Sequence, residues 1–411
     1  MESRSPSTPA SPSLGASLRP SRFILAVAVA TALVLSAPFI GFVRSWVRAT
    51  FPGQFVRIVG GTIAVLGAAA ILAAILRIRK QRRFSSLGDF APRSGRRRLR
   101  YTALIAALGG AVLFSVFEAT GNPDVDVVQR FHFVEYGVIT FLFYRAWRAL
   151  EDSAILLLPI LAGLLVGTAD EWLQWFIPNR VGEIADILLN GIAIGCGLLF
   201  SLGADPPDQF QWAMRQGSIL RVGRLAAGTI LSLALFFHIV HLGYDIRDQE
   251  VGIFKSRYSA SELPALAAAR RAAWQGHPPP LVLQRVSRED QYMTEGVTHV
   301  QRRNELLAAN DVNGAWAENL LLEKYYAPVL DTPSYVSRTG HRWSPEQRAS
   351  VQSRAAGSDP AYVSTANPYP IVAWSRRLFW LVSIVAAAAV WIAAALVDRS
   401  IRAQAGASTA V

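Results

Sequence analysis

The sequence predicts an all-α fold: a polytopic transmembrane bundle of about eight helices, with a soluble α-helical domain between the last two. Three observations carry that prediction. The 411 residues are 52% hydrophobic with a mean hydropathy of +0.28, a balance that is rare in soluble chains and ordinary in polytopic membrane proteins. Apolar runs close to the roughly 20 residues that span a bilayer recur eight times. One long polar stretch, 243–373, falls between the seventh run and the eighth.

In chain order, the Ser/Pro-rich residues 1–21 are expected to form a disordered tail on the cytoplasmic side. The run after it is long enough to span, so it is read as a retained helix rather than a cleaved leader. The eight predicted spans are 23–43, 55–76, 101–117, 131–147, 154–172, 183–202, 225–242 and 378–397. They divide the chain into two helices plus a basic loop (22–100), a core (101–202), a loop and seventh helix (203–242), the polar domain (243–373) and a last helix with its tail (374–411).

Charge sets the expected orientation. The net charge is +12, and only Lys80, Lys255 and Lys324 are lysines, so nearly all of the positive charge is arginine beside apolar runs. That placement points to a membrane surface and away from nucleic acid. The loop after the second span carries ten Arg and Lys between Arg77 and Arg100 against one acid, Asp89, which marks it as cytoplasmic. Counting outward, both termini are cytoplasmic and 243–373 is extracytoplasmic, in the inner membrane of a bacterium. The single cysteine, Cys196, excludes an internal disulfide framework and a cysteine-based metal site.

Within 243–373, SELPALAAARRAAW reads as a helix capped by Ser261, with Pro264 in its first turn. Residues 294–309 and 314–326 read as two helices broken at Asn313-Gly314, and Ser344-Pro345-Glu346 opens another. No strand pattern is clear. Trp274, Trp316, Trp343, Tyr325 and Tyr326 are expected in the core.

Chemistry concentrates at the mouths of the fourth to sixth spans. Glu118, Asp124, Asp126, Glu135, Asp170, Glu171, Glu183 and Asp186 face only Arg130 and Arg180 there, a local balance of about −6 in a basic protein. His132, Tyr136, Thr140 and Tyr144 recur every four residues, which puts one polar stripe on one face of the fourth helix, with Glu135 beside it. Such a stripe turns away from lipid, because ionisable groups at bilayer depth need partners or a wet cavity. Gly163, Gly167 and Glu171 share a face of the fifth helix, with Gln174 one turn on; Asp170 lies about 100° round and is expected to be a solvated end charge. Pro178, Asn179 and Arg180 form a turn, and Asp186 and Asn190 sit one and two turns into the sixth helix.

In this order, Arg130, His132, Tyr136, then Asp170-Glu171, Gln174, Pro178 and Arg180, then Asp186, Asn190-Gly191 and Gly195, the chain resembles the VanZ-like family over about residues 101–202. The family is named for a protein that raises resistance to the glycopeptide teicoplanin. The resemblance implies a cell-envelope role, with a cell-wall precursor or a glycopeptide as partner besides the lipid bilayer, and names no cofactor and no reaction.

Three readings of function follow. In the first, an outer acidic and histidine pocket of Arg130, His132, Glu135, Tyr136, Glu171, Gln174, Arg180, Asp186 and Asn190 binds an envelope component. In the second, an intramembrane enzyme acts on a lipid-linked substrate with His132, Glu171 and Asp186 as its catalytic groups, or with His132, Glu135, Glu171 and Asp186 around a metal. In the third, the acids belong to an ion- or proton-coupled transporter, although the deeper run ILLNGIAIGCGLLF carries no charge onward. The sequence contains no H-E-x-x-H, no G-x-S-x-G and no Gly-rich phosphate loop.

Overall fold

The computed structural model describes residues 20–84, 94–177, 182–276, 291–334 and 336–408. The tail over 1–19, part of the basic loop, and Pro178, Asn179 and Arg180 of the expected turn lie outside the described residues. Eight long helices form the membrane part: α1 (Pro20–Thr50), α2 (Phe55–Phe84), α3 (Ser94–Phe117), α4 (Pro123–Trp147), α5 (Ala154–Phe176), α6 (Ile184–Ala204), α7 (Ser218–Val240) and α13 (Arg376–Ser408). Seven of them are long and apolar enough to cross a membrane; α4, with its polar stripe, is the exception. The first helix begins at Pro20, inside the stretch expected to be disordered. The seventh begins at Ser218, where Gly217 takes the left-handed conformation, and ends before Leu242.

Burial separates inner from outer helices. In the most apolar window of α5 and of α6, 56% of residues are buried, against 6% in α2 and 11% in α3 and α13. The outer helices expose Phe39, Phe42, Val65, Ile105, Val116 and Leu381, as lipid-facing helices do. At the centre α4 packs on α5 and α6 around Tyr136, Ile139, Phe143, Ile155, Leu158 and Ile194. With 21 residues, α6 spans about 31 Å, the thickness of the hydrocarbon layer.

Glycine sets the closest approaches. A Cβ at Gly163 would sit 2.9 Å from Ile194, and one at Gly197 would sit 3.0 Å from the Gly137 Cα. The pair Gly191 and Gly195 does less: Gly195 has nothing within 4 Å of a Cβ, so no close helix contact depends on it.

Between α7 and α13 lie α8 (Glu262–Gly276), α9 (Gln291–Ala308), α10 (Val312–Tyr325), α11 (Ala327–Leu330) and α12 (Pro345–Arg354). The first four share an apolar cluster that includes Phe254, Leu263, Tyr292, Val297, Leu321 and Tyr326, while α12 packs Val351 against Leu306, Trp316 and Trp343. Ser344 caps α12 as expected, accepting the Gln347 N–H at 3.1 Å. Two expectations are corrected. The break between α9 and α10 falls at Asn310, which is left-handed (φ 63°), and Asp311 caps α10 by accepting the Gly314 N–H; Asn313-Gly314 is inside the helix. At α8 it is Ser259, not Ser261, whose N–H and hydroxyl each bond the Glu262 carboxylate at 2.7 Å.

The larger correction is a three-stranded sheet in order β2-β1-β3, formed by β1 (Leu242–Asp248), β2 (Gly252–Ser256) and β3 (Val372–Ala373). An antiparallel hairpin joins β1 to β2 through Gly252 at φ +87°, while β3 runs parallel to β1. In β1 the buried Ile246 lies between the exposed Asp245 and Arg247, an alternation of only a few residues directly after a long apolar helix.

Candidate functional site

The site is built where α4, α5 and α6 meet below the sheet. Asn122 caps α4 by accepting the Asp124 N–H at 3.1 Å, Pro123 occupies its first turn, and Thr120 holds Asp126 through its N–H and hydroxyl at 2.9 and 2.7 Å. Arg48 at the end of α1 pairs with Asp124. Two acids of the constellation are thereby spent on fixing the start of α4. Arg130 is exposed, and its charge acts on Asp126; among the described residues no hydrogen bond or ion pair carries it to the other site residues.

Two and more turns into α4, the polar stripe meets α5 and α6. His132 Nδ1 lies 2.9 Å from Asn190 Oδ1 on α6, and its ring stacks on Tyr136 at 6.0 Å between centroids. The Tyr136 hydroxyl donates to Asp170 at 3.5 Å. Asp170 and Glu171 both accept from Gln174 Nε2, at 2.9 and 3.2 Å. Glu171 also accepts the Glu183 N–H at 3.3 Å, which ties the end of α5 to the start of α6. Tyr136, Asp170, Glu171, Gln174 and Asn190 are buried, whereas His132, Glu135 and Asp186 are half-buried.

Gly167 makes this junction possible. A Cβ there would lie 3.2 Å from Asn190 Nδ2 and 3.4 Å from the Tyr136 ring, so the bare backbone of α5 faces both residues. Asn190 Nδ2 is buried without a hydrogen-bond partner among the described residues. Gly182, just before α6, is held against the Glu171 carbonyl oxygen.

The structure brings His132, Tyr136, Glu171, Gln174 and Asn190 together and sets Glu135 and Asp186 on the same helices with half-open surfaces. Arg180 lies outside the described residues. Asp170 is corrected: it is 7% exposed and bonded to Tyr136 and Gln174, not a solvated end charge. The lower stripe serves packing. Thr140 bonds back to the Tyr136 carbonyl, and Tyr144 donates to the Asp205 carbonyl at 2.7 Å. Among the described residues no three His, Cys, Asp or Glu are grouped as metal ligands would be.

One site residue was missed. His241, fully buried after α7, accepts the Ile184 N–H through Nε2 at 3.1 Å, and its Nδ1 lies 2.8 Å from the Pro370 carbonyl oxygen. The second contact fixes the neutral tautomer with the proton on Nδ1, and burial together with the Arg257 charge lowers its pKa. His241 therefore clamps the start of α6 to the chain leading into β3. Trp175, Ile187, Phe236, Val240, Tyr369 and Ile371 pack around that clamp. In the sequence it is one more residue in an apolar run.

The opposite end of the bundle is basic. Asp205, at the end of α6, receives Arg77 at 2.8 Å, Arg148 at 3.4 Å and Arg145 at 3.8 Å, and Arg100 donates to the Gly203 and Ala204 carbonyls. Arginines from α2, α3 and α4 thus converge about 20 residues along α6 from the acidic site.

No curated protein and no solved structure matches the chain. A family model described as VanZ/LLP1 matches residues 23–203. The match begins earlier than the motif-bearing stretch 101–202, so α1 and α2, which pack against α4, belong to the same unit. Residues 204–411 lie outside it. Residues 23–203, from α1 to the end of α6, are thus similar to the VanZ/LLP1 family, within a chain whose apolar helices make it a multi-pass membrane protein.

Proposed function

We propose that this VanZ-like protein acts in the cell envelope of a bacterium by binding an envelope component at the acidic end of its bundle, without transforming it. The observation that carries this reading is the joint burial of Asp170 and Glu171 on one Gln174 amide, beside Tyr136 and the His132–Asn190 pair. Carboxylates gathered in a low-dielectric hollow attract a cationic or hydrogen-bond-donating group, and half-buried Glu135 and Asp186 give such a group a way in. The arginine belt around Asp205 favours the cytoplasm for the opposite end, so the pocket and residues 243–373 face outward from the inner membrane.

The ligand we favour is a lipid-linked cell-wall precursor, with a glycopeptide that targets such a precursor as the competing ligand. Purified full-length protein in detergent is titrated with both, alongside Glu171→Gln and Asp186→Ala. Binding by the wild type, weakened at least about tenfold in both variants, supports the reading. Equal binding by wild type and variants, or release of a product from the precursor, contradicts it. A teicoplanin-susceptible host expressing each form tests whether loss of binding lowers resistance in parallel.

A further inference from the structure

At the basic end, α7 and α13 pack along their length, and a Cβ at Gly223 would collide with Ala394. Beside that contact the helices leave an open groove of about 430 Å³. Its walls change character along the axis. Trp391 and Ile392 lie deeper along α13 than Arg399 and Arg402, and Leu220 and Arg224 line the groove from α7. On α13 the positions 391, 395, 399 and 402 follow the three- and four-residue spacing of one helix face.

The charges at the mouth are unequal. Asp398 is buried and already committed: it accepts the Gly217 N–H at 2.5 Å and Arg402 at 2.7 Å. Arg224 and Arg399 are exposed and make no hydrogen bond or ion pair among the described residues. Two positive charges therefore stand over an apolar slot that opens on the lipid-facing side of α13, where Trp391 and Leu396 are more than half exposed.

We propose that this groove is a binding site for one anionic phospholipid, its phosphate held by Arg224 and Arg399 and an acyl chain laid along Trp391 and Ile392. Basic pockets between transmembrane helices take anionic head groups, and the apolar floor here separates a lipid from a free anion. Arginine gives the phosphate a forked pair of donors on each side. This site is far from the acidic pocket and does not depend on what that pocket binds.

The test uses the full-length protein in nanodiscs with brominated phospholipids, and reads quenching of Trp391 as the difference between wild type and Trp391→Phe. Brominated phosphatidylglycerol should quench Trp391 at roughly tenfold lower mole fraction than brominated phosphatidylcholine. The preference should vanish in Arg224→Gln/Arg399→Gln and persist in Arg57→Gln/Arg247→Gln, which removes the same charge elsewhere. Equal quenching by the two lipids in the wild type overturns the proposal, and this arm needs no charge variant to fold. Loss of the preference in the control pair, or abolition of the quenching by millimolar inorganic phosphate alone, also overturns it.

Discussion

The meeting of α5 and α6 at Gly167 and Asn190 can be tested by a double-mutant cycle. Gly167→Ala places a methyl 3.2 Å from Asn190 Nδ2, 3.3 Å from its Cβ and 3.4 Å from the Tyr136 ring, each tighter than an ordinary contact. Both neighbours are immobilised, Asn190 at 0% and Tyr136 at 1% exposure, so the helices must part by a few tenths of an ångström. Overpacking of this kind costs about 1–3 kcal/mol, offset by about 1 kcal/mol of helix propensity. Asn190→Ala removes the 2.9 Å contact with His132 and leaves a void, a loss of about 1–2 kcal/mol after the buried, unpartnered Nδ2 is also removed. In the double variant the new methyl has lost its tightest neighbour. The two effects should therefore fall short of additivity by about 1 kcal/mol. Equilibrium unfolding in mixed detergent and SDS, followed by tryptophan fluorescence, measures all four corners of the cycle. Additivity within about 0.3 kcal/mol would refute the packing described here.

Three further outcomes are expected. Glu318→Ala strands His299, which lies 2.7 Å from it with both side chains buried, and should cost about 3–5 kcal/mol in thermal unfolding, whereas Glu305→Ala at the exposed Arg302 pair should cost under about 0.5 kcal/mol. Burial and the Arg303 charge bring the His341 pKa down to about 4; the unfolded chain therefore takes up its proton first, and stability should fall by up to about 3 kcal/mol from pH 6.5 to pH 4, a slope that His341→Asn removes from pH-dependent unfolding curves. Asp205→Ala leaves Arg77 and Arg148 without their shared carboxylate and should destabilise the bundle by about 1–3 kcal/mol in the same SDS titration; no loss would mean the arginines are solvated individually.

Much of this was legible in the sequence because membrane spans and helix faces are local signals. Apolar runs located all eight helices, and four-residue spacing placed His132 and Tyr136 on one face and Gly167 and Glu171 on another. What escaped depends on contacts distant in the chain. Asp170 looked solvated because a helical wheel shows its angle but not the Tyr136 hydroxyl that α4 brings to it. His241 looked like the end of a span, since its role rests on Ile184 and Pro370, 57 and 129 residues away. The strands are two to seven residues long, and β3 is defined only by its pairing with β1.

The central claim is that α4, α5 and α6 gather their ionisable side chains in one hollow reached from outside the cell. In a Cys196→Ala background, single cysteines at Glu135, Asp186, Thr140 and Arg145 are exposed to a membrane-impermeant maleimide on intact spheroplasts. The account predicts labelling at 135 and 186, none at the buried 140, and labelling at 145 only after permeabilisation. Labelling at 145 before permeabilisation, or at 186 only after it, would contradict the account.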